Sequence, residues 1–363
     1  MPEFLPGLRL CGIFYEEAVR PLLDAAYPGL PHAAARIGAG SEVLGYDGPR
    51  STDHDWGPRL TLFLDPADTH HGPGIDALLR DRLPKAVRGW PTNFEPPGER
   101  VRVMTPTGGP VHHRVDVTTV TAFSAAQLGV PGGPRTAVEW LGTPAQLLLE
   151  TTAGAVYHDG PGDLTALRER LAWYPDDVWR YLLAAQWTLI AQEEAFVGRA
   201  AEAGDPIGRQ VLAARLTRAL MRLGLLLHRR YPPYSKWLGT AWTGLGLAWP
   251  VGPPAGDPDR LADAYEAAGR AQNALPLAGP VDATRRGYHD RPYEVIDAGR
   301  FAAALAARIT DPALAGLPLI GGIDQYADST DVLTRPALCQ TIMAAAYSAL
   351  RGADPDGRPG GIA

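Results

Sequence analysis

The chain has 363 residues, 45% of them hydrophobic and 20% charged, with a formal net charge of −6, enough for one large or two ordinary domains with a real core. The acidic balance argues against a protein that tracks a nucleic-acid backbone, which shows a basic excess or stripe, although the arginine-containing run 215–230 is a place where a local patch could hide. Cys11 and Cys339 lie far apart with no zinc-type spacing, the start Met1-Pro2-Glu3-Phe4-Leu5 has no basic-then-apolar signal pattern, and no apolar run nears eighteen residues, so a reduced, cytoplasmic setting with no membrane contact is expected.

In chain order, residues 8–28 read as an opening helix, with Phe14, Val19, Leu22 and Leu23 at helical spacing. Ala34-Ala35-Arg36-Ile37-Gly38 reads as a strand delivering the small-residue turn Gly40-Ser41, whose backbone N–H groups can approach a phosphate closely. After eleven intervening residues comes Asp53-His54-Asp55, leading into the apolar run Leu60-Thr61-Leu62-Phe63-Leu64. On a strand, acids at i and i+2 share a face. Two carboxylates held side by side repel unless a cation sits between them, and Mg²⁺ is the hard, oxygen-seeking ion that suits such a pair. With 40 acids in 363 residues, roughly four acid-x-acid pairs arise by chance. The others of note, Asp257-Pro258-Asp259 and Asp354-Pro355-Asp356, straddle a proline and follow no Gly-Ser turn.

A helix over about 74–88 and strands near 100–104 and 113–120 follow. In the last of these, Val115-Asp116-Val117-Thr118-Thr119-Val120 is rich in β-branched residues. Alternation puts Arg114, Asp116 and Thr118 on one face and the two valines on the other, which makes Asp116 the candidate third acid, a solvated face being the plain alternative. The doublets His70-His71 and His112-His113 make poor ligand pairs, because neighbours on a strand point oppositely.

From Pro175 the chain reads as helical. Asp176-Asp177 opens a segment reaching Glu202, and Asp205-Pro206 opens another to about Arg230 with Val211, Leu212, Leu216, Leu220, Leu223 and Leu227 as its core stripe. A third helix starts near Tyr234, after which 250–256 reads as a loop, Asp257-Pro258 as a helix start, and 299–309 and 335–350 as two more helices. Glu193-Glu194 mid-helix is a candidate general base, though one exposed and one boundary acid is the plainer reading. Asp324, Asp328 and Asp331 lack EF-hand spacing and read as caps of neighbouring helices, with acceptor binding the alternative. The expected fold class is α+β: a mixed sheet with helices over 1–150, a helical bundle over 151–351, and a disordered Gly/Pro/Asp-rich tail at 352–363.

Gly-Ser, about a dozen residues, Asp-x-Asp and a third acid on a later strand resemble the nucleotidyltransferase superfamily related to DNA polymerase beta, over roughly residues 30–120. Leu44-Gly45, Ser51-Thr52 and Tyr234-Ser235-Lys236-Trp237 resemble a bacterial branch described as a domain of unknown function (DUF4037), and that likeness extends over most of the chain. The resemblance implies that Gly40 and Ser41 hold a nucleotide triphosphate, that Asp53 and Asp55 bind Mg²⁺ with Asp55 shared between two ions, and that Asp116 completes the second metal site and helps deprotonate an acceptor hydroxyl. It implies a layout like that of the aminoglycoside nucleotidyltransferases, with the nucleotide between the two domains and a lysine of the helical domain on its phosphates. Lys236 with Ser235, near a helix N-terminus where anions are favoured, fits that role, and Arg50 is a further phosphate candidate. The resemblance departs at Trp56-Gly57-Pro58, where relatives continue a strand, and a bulge is expected there. The activity so implied is Mg²⁺-dependent transfer of a nucleoside monophosphate from an NTP, with ATP the expected donor, to a hydroxyl of a small-molecule acceptor. The alternatives are a non-catalytic nucleotide-binding or regulatory relative and a protein-modifying nucleotidyltransferase.

Overall fold

The computed structural model describes residues 2–96, 98, 101–251 and 258–352. Its elements in chain order are α1 (Gly7–Phe14), α2 (Arg20–Ala26), β1 (His32–Arg36), β2 (Arg59–Leu64), α3 (Gly72–Arg82), β3 (Ala86–Val87), β4 (Trp90–Pro91), β5 (Arg114–Thr118), α4 (Val120–Leu128), α5 (Ala137–Gly142), α6 (Ala145–Thr152), β6 (Ala155–Asp159) and α7 (Asp163–Arg170). There follow α8 (Asp176–Glu193), α9 (Phe196–Glu202), α10 (Pro206–Leu227), α11 (Ser235–Thr243), α12 (Pro258–Asn273), β7 (Arg286–Gly287), β8 (Glu294–Val295), α13 (Gly299–Ala306), α14 (Ile323–Tyr326), α15 (Thr330–Leu333) and α16 (Pro336–Gly352). A π-helical turn, Tyr15–Val19, joins α1 to α2, so the expected opening helix is continuous but underwound in its middle. The class is α+β, and the chain divides into two compact units, Met1–Gly133 with Leu147–Ala172, and Pro134–Gln146 with Trp173–Ala363.

The first unit is built on a four-stranded sheet of order β5-β2-β1-β6, in which β2 lies parallel to β5 and the other pairings are antiparallel. All six residues of β2 are buried, because helices cover both sides of this central strand. Leu60, Leu62 and Leu64 pack with Phe14, Tyr15, Leu23, Ile75 and Leu79 on one side, and Phe63 packs with Ala33, Ala35, Ile37 and Leu164 on the other. The edge strand β6 comes after residue 150, and the boundary expected at 150 falls inside α6. The expected strand near 100–104 is a single bridge between Phe94 and Met104 among the described residues.

The second unit is helical. In α8, buried Trp187 stacks on Phe301 of α13 at 4.6 Å and donates through Nε1 to Gln272 of α12 at 2.6 Å. Asp205 caps α10 by accepting from the Gly208 N–H at 2.8 Å, as its sequence position suggests. Ala213, Leu216, Leu220, Leu223 and Leu227 form the buried stripe of α10, but Val211 is 55% exposed. Two residues turn a helix by about 200°, so Val211 stands opposite Ala213 and not in line with the stripe. Most of the expected loop at 250–256, and the expected tail beyond Gly352, lie outside the described residues. No helix among the described residues is long and apolar enough to cross a membrane.

Candidate functional site

The segment after β1 is shaped by a buried ion cluster. Arg36, the last residue of β1, binds Glu42 through Nε at 2.8 Å and Nη2 at 2.7 Å, and donates to the carbonyls of Ile37 and Ala39. Arg59, the first residue of β2, reaches the same Glu42 oxygen at 2.6 Å and the Ala39 carbonyl at 3.3 Å. Burial works against ionisation of Glu42, but the Arg36 and Arg59 guanidiniums outweigh it and hold the carboxyl below the usual glutamate range. The pair closes over Gly40, whose φ is +155°. A Cβ there would lie 2.5 Å from both Arg36 Nη2 and Glu42 Oε2. Glycine at 40 is therefore a packing requirement, and it leaves the Gly38–Gly40 backbone lining open space.

The Asp53/Asp55 segment is not a strand. Pro49–Asp53 forms one 3₁₀ turn, Asp55 has φ +44°, and β2 begins only at Arg59. Pro58 has no N–H to give a ladder, and Gly57, at φ +128°, turns the chain into it, so the expected bulge is instead the point where the strand begins. Without strand geometry the shared face is lost. Asp53 is turned to solvent, 67% exposed, with its carboxylate 2.8 Å from His54 Nδ1. Asp55 faces inward, its N–H bonded to the Arg102 carbonyl at 3.0 Å. The next residue anchors the turn: Trp56 is buried against Phe4 and Trp90 and donates from Nε1 to Asp47 at 3.0 Å.

On β5 the expected alternation holds. Val115 and Val117 enter the core, and Arg114, Asp116 and Thr118 line the cavity with Asp116 level with Thr61 of β2. Arg114 Nη1 bonds Asp55 Oδ1 at 2.7 Å. Arg114 and Arg102 sit over the ring of buried Phe94, their Cζ atoms 5.8 and 6.0 Å from its centroid. Arg102 is fixed by the carbonyls of Glu95 at 2.6 Å and His112 at 3.4 Å.

These elements line an open cavity of about 770 Å³ in the first unit. Four arginines (36, 59, 102 and 114) and two aspartates (55 and 116) line it, with Ile37, Ala122, Phe123 and Ala126 forming an apolar wall. Cations outnumber acids, so the cavity favours a polyanion with an apolar part. Of the residues singled out from the sequence, Gly40, Asp55 and Asp116 meet here. Asp53, Ser41 and Arg50 are not in the lining; Arg50 is exposed and the Ser41 carbonyl accepts from the Tyr46 N–H at 2.9 Å. Among the described residues no group of three or more His, Cys, Asp or Glu is placed to hold a metal ion, so the three aspartates do not form one ligand set. Sequence reasoning passed over Arg36, Arg59 and Arg102. The available signal was an arginine heading an otherwise apolar strand, Arg59 before Leu60–Leu64.

In the second unit, Ser235 and Lys236 occupy the first turn of α11, exposed, with the Lys236 ammonium 4.9 Å from the centre of the Trp237 ring. Glu193 forms a two-point pair with Arg215, and Glu194 accepts from the N–H groups of Ile296, Asp297 and Ala298 at the start of α13. Burial raises the Glu194 carboxyl despite those bonds. Both acids are structural. Asp324 caps α6 through the Ala145 N–H at 3.0 Å and pairs with Arg222 at 3.2 Å, and Asp328 pairs with Arg218.

The family model for a domain of unknown function (DUF4037) matches residues 140–238, which supports the DUF4037 resemblance read from the sequence. The matched stretch includes Ser235-Lys236-Trp237 and leaves out the cavity residues. No curated protein matches the chain.

Proposed function

We propose that the protein is a Mg²⁺-dependent nucleotidyltransferase that moves a nucleoside monophosphate from an NTP, with ATP the expected donor, to a hydroxyl of a small-molecule acceptor. The observation that carries this reading is the meeting of Asp55 and Asp116 with four arginines and a glycine-lined edge in one cavity. The donor set suits magnesium in a particular way: the carboxylates are oxygen-only ligands, and Mg²⁺ is commonly held by one or two of them together with substrate phosphates. Asp55 and Asp116 would hold the ion; Asp53, turned outward, does not fit as a third ligand. When bound, the metal would lower the pKa of the acceptor hydroxyl and neutralise phosphate charge.

The chain's own groups have separable tasks in this reading. Arg36 and Arg59, buried on Glu42, hold the Gly38–Gly40 backbone in place, and that backbone together with the more open Arg102 and Arg114 receives the phosphates. The acceptor oxygen attacks the α-phosphorus as the bond to the β-phosphate oxygen breaks, and pyrophosphate leaves with that electron pair. The Asp116 side chain, exposed and without a hydrogen bond or ion pair among the described residues, takes the acceptor proton. The apolar wall with Phe123 receives the nucleoside. A part for Ser235 and Lys236 rests on the resemblance alone, and Lys236→Ala tests it through the KM for NTP.

One observation favours the second reading, a nucleotide-binding relative without transfer: Asp55 is already neutralised by Arg114 while Asp53 stands outside the cavity. Pyrophosphate release from NTP and Mg²⁺ during an acceptor screen, with protein substrates among the acceptors, separates the two. Asp55→Asn and Asp116→Asn are expected to lose about 10²–10³-fold in turnover, and full activity in both overturns the proposal. Nucleotide binding with no release under any acceptor supports the second reading. Asp53→Asn is expected to stay active; abolished turnover there would restore the three-aspartate ligand set.

A further inference from the structure

The four arginines of the cavity are held in different ways. Arg36 and Arg59 are buried on Glu42 and on backbone carbonyls, and Arg102 is tied to the carbonyls of Glu95 and His112. Arg114 has one polar partner among the described residues, the Asp55 carboxylate, and both side chains are partly exposed, at 22% and 36%. Its remaining support is the face of Phe94, against which a guanidinium can slide without losing a hydrogen bond. Arg114 is thus the cavity arginine free to change partners, and its present partner is a residue assigned above to magnesium.

Resting on the reading of the cavity as a magnesium–nucleotide site, we propose that Arg114 is a partner-exchange residue: without ligand it occupies Asp55, and an arriving polyphosphate draws it away and so frees Asp55 for the metal. A polyphosphate carries more charge than a carboxylate and can engage both arms of the guanidinium, where Asp55 engages one, so the exchange is downhill once polyphosphate is present. Metal and nucleotide then bind with positive coupling. Each raises the affinity of the other by the same factor, as linkage requires. In the resting protein Arg114 competes with the metal, which keeps the site poorly loaded until substrate enters.

The pair can be opened from either side. Arg114→Gln removes the competitor and should tighten nucleotide-free Mn²⁺ binding, followed by calorimetry as a stand-in for Mg²⁺, by about fivefold or more. Asp55→Asn releases Arg114 and should tighten metal-free pyrophosphate binding by a similar factor. Asparagine tolerates the left-handed backbone at 55, so this variant keeps the turn. Thermal unfolding run in parallel identifies any variant that fails to fold, and the opposite variant then decides. If wild type binds Mn²⁺ only weakly alone and far better with a nonhydrolysable NTP, and both variants shift as stated, the exchange stands. If wild type shows that coupling but neither variant moves, the exchange is overturned and the nucleotide reading survives. A wild type that binds no NTP with or without Mn²⁺ overturns both.

Discussion

The same pairing, arginine with carboxylate, occurs twice around one cavity and has two different consequences. At the base of the Gly38–Gly40 segment, Glu42 is 2% exposed and two guanidiniums converge on it. At the other side, Asp55 and Arg114 are partly open to solvent and make one contact. In the interior, removing one partner leaves an unpaired charge with no water to receive it, so the cluster is a fixed part of the scaffold. Near solvent the same ions are easily rehydrated and the pair is worth little, which leaves it able to exchange. Burial, not residue type, separates a structural ion pair from one that can take part in ligand binding.

Glu42→Ala sharpens the contrast most. It should cost about 3–5 kcal/mol of stability by chemical denaturation, because two buried arginines lose their counter-ion; a loss under about 1 kcal/mol would put the two ion pairs in the same class. Gly40→Ala should follow at about 2 kcal/mol, since a Cβ would press on both Arg36 and Glu42 in a backbone conformation that suits glycine. A wild-type-like melting temperature would show that the cluster can move aside. The pH dependence has a definite sign. The folded Glu42 carboxyl is held below its ordinary value of 4.5, so its contribution is fully present above that value and is lost as pH falls through the folded one. The fall in denaturation midpoint between about pH 5 and 3 should be shallower in Glu42→Gln than in wild type. Arg114→Gln should change stability by no more than about 1 kcal/mol, and a loss as large as that of Glu42→Ala would make the Asp55 pair scaffold as well. The smallest effect belongs to Asp53→Asn, within about 0.5 kcal/mol, because its carboxylate is solvent-exposed.

Much of the second unit was legible in the sequence. Asp205-Pro206 starts α10 as cap-then-proline chemistry suggests, and Ser235 and Lys236 begin α11 after the Tyr231-Pro232-Pro233 break. The valine–aspartate alternation of 115–117 gave the inward face of β5 correctly. These are signals of neighbouring residues, carried by local periodicity and capping. Val211 marks the limit of that logic, since a hydrophobic residue near a stripe need not be in phase with it.

The candidate site was legible only in part. Gly40, Asp55 and Asp116 could be named from the chain because a glycine turn, an acid pair and a strand acid each have a local pattern. That Asp53 faces away was settled by backbone geometry at 55–58, which acid-x-acid spacing does not encode. The arginine lining was decided by tertiary structure: Arg36 and Arg59 meet across two strands on Glu42, and Arg102 and Arg114 share one phenylalanine ring, through contacts that no local periodicity specifies. Sequence determined the elements and which side of each would be apolar, because those depend on hydrogen bonding and burial within a few residues. The charge character of the cavity came from packing, because a field is the sum of groups brought together only when the chain is folded.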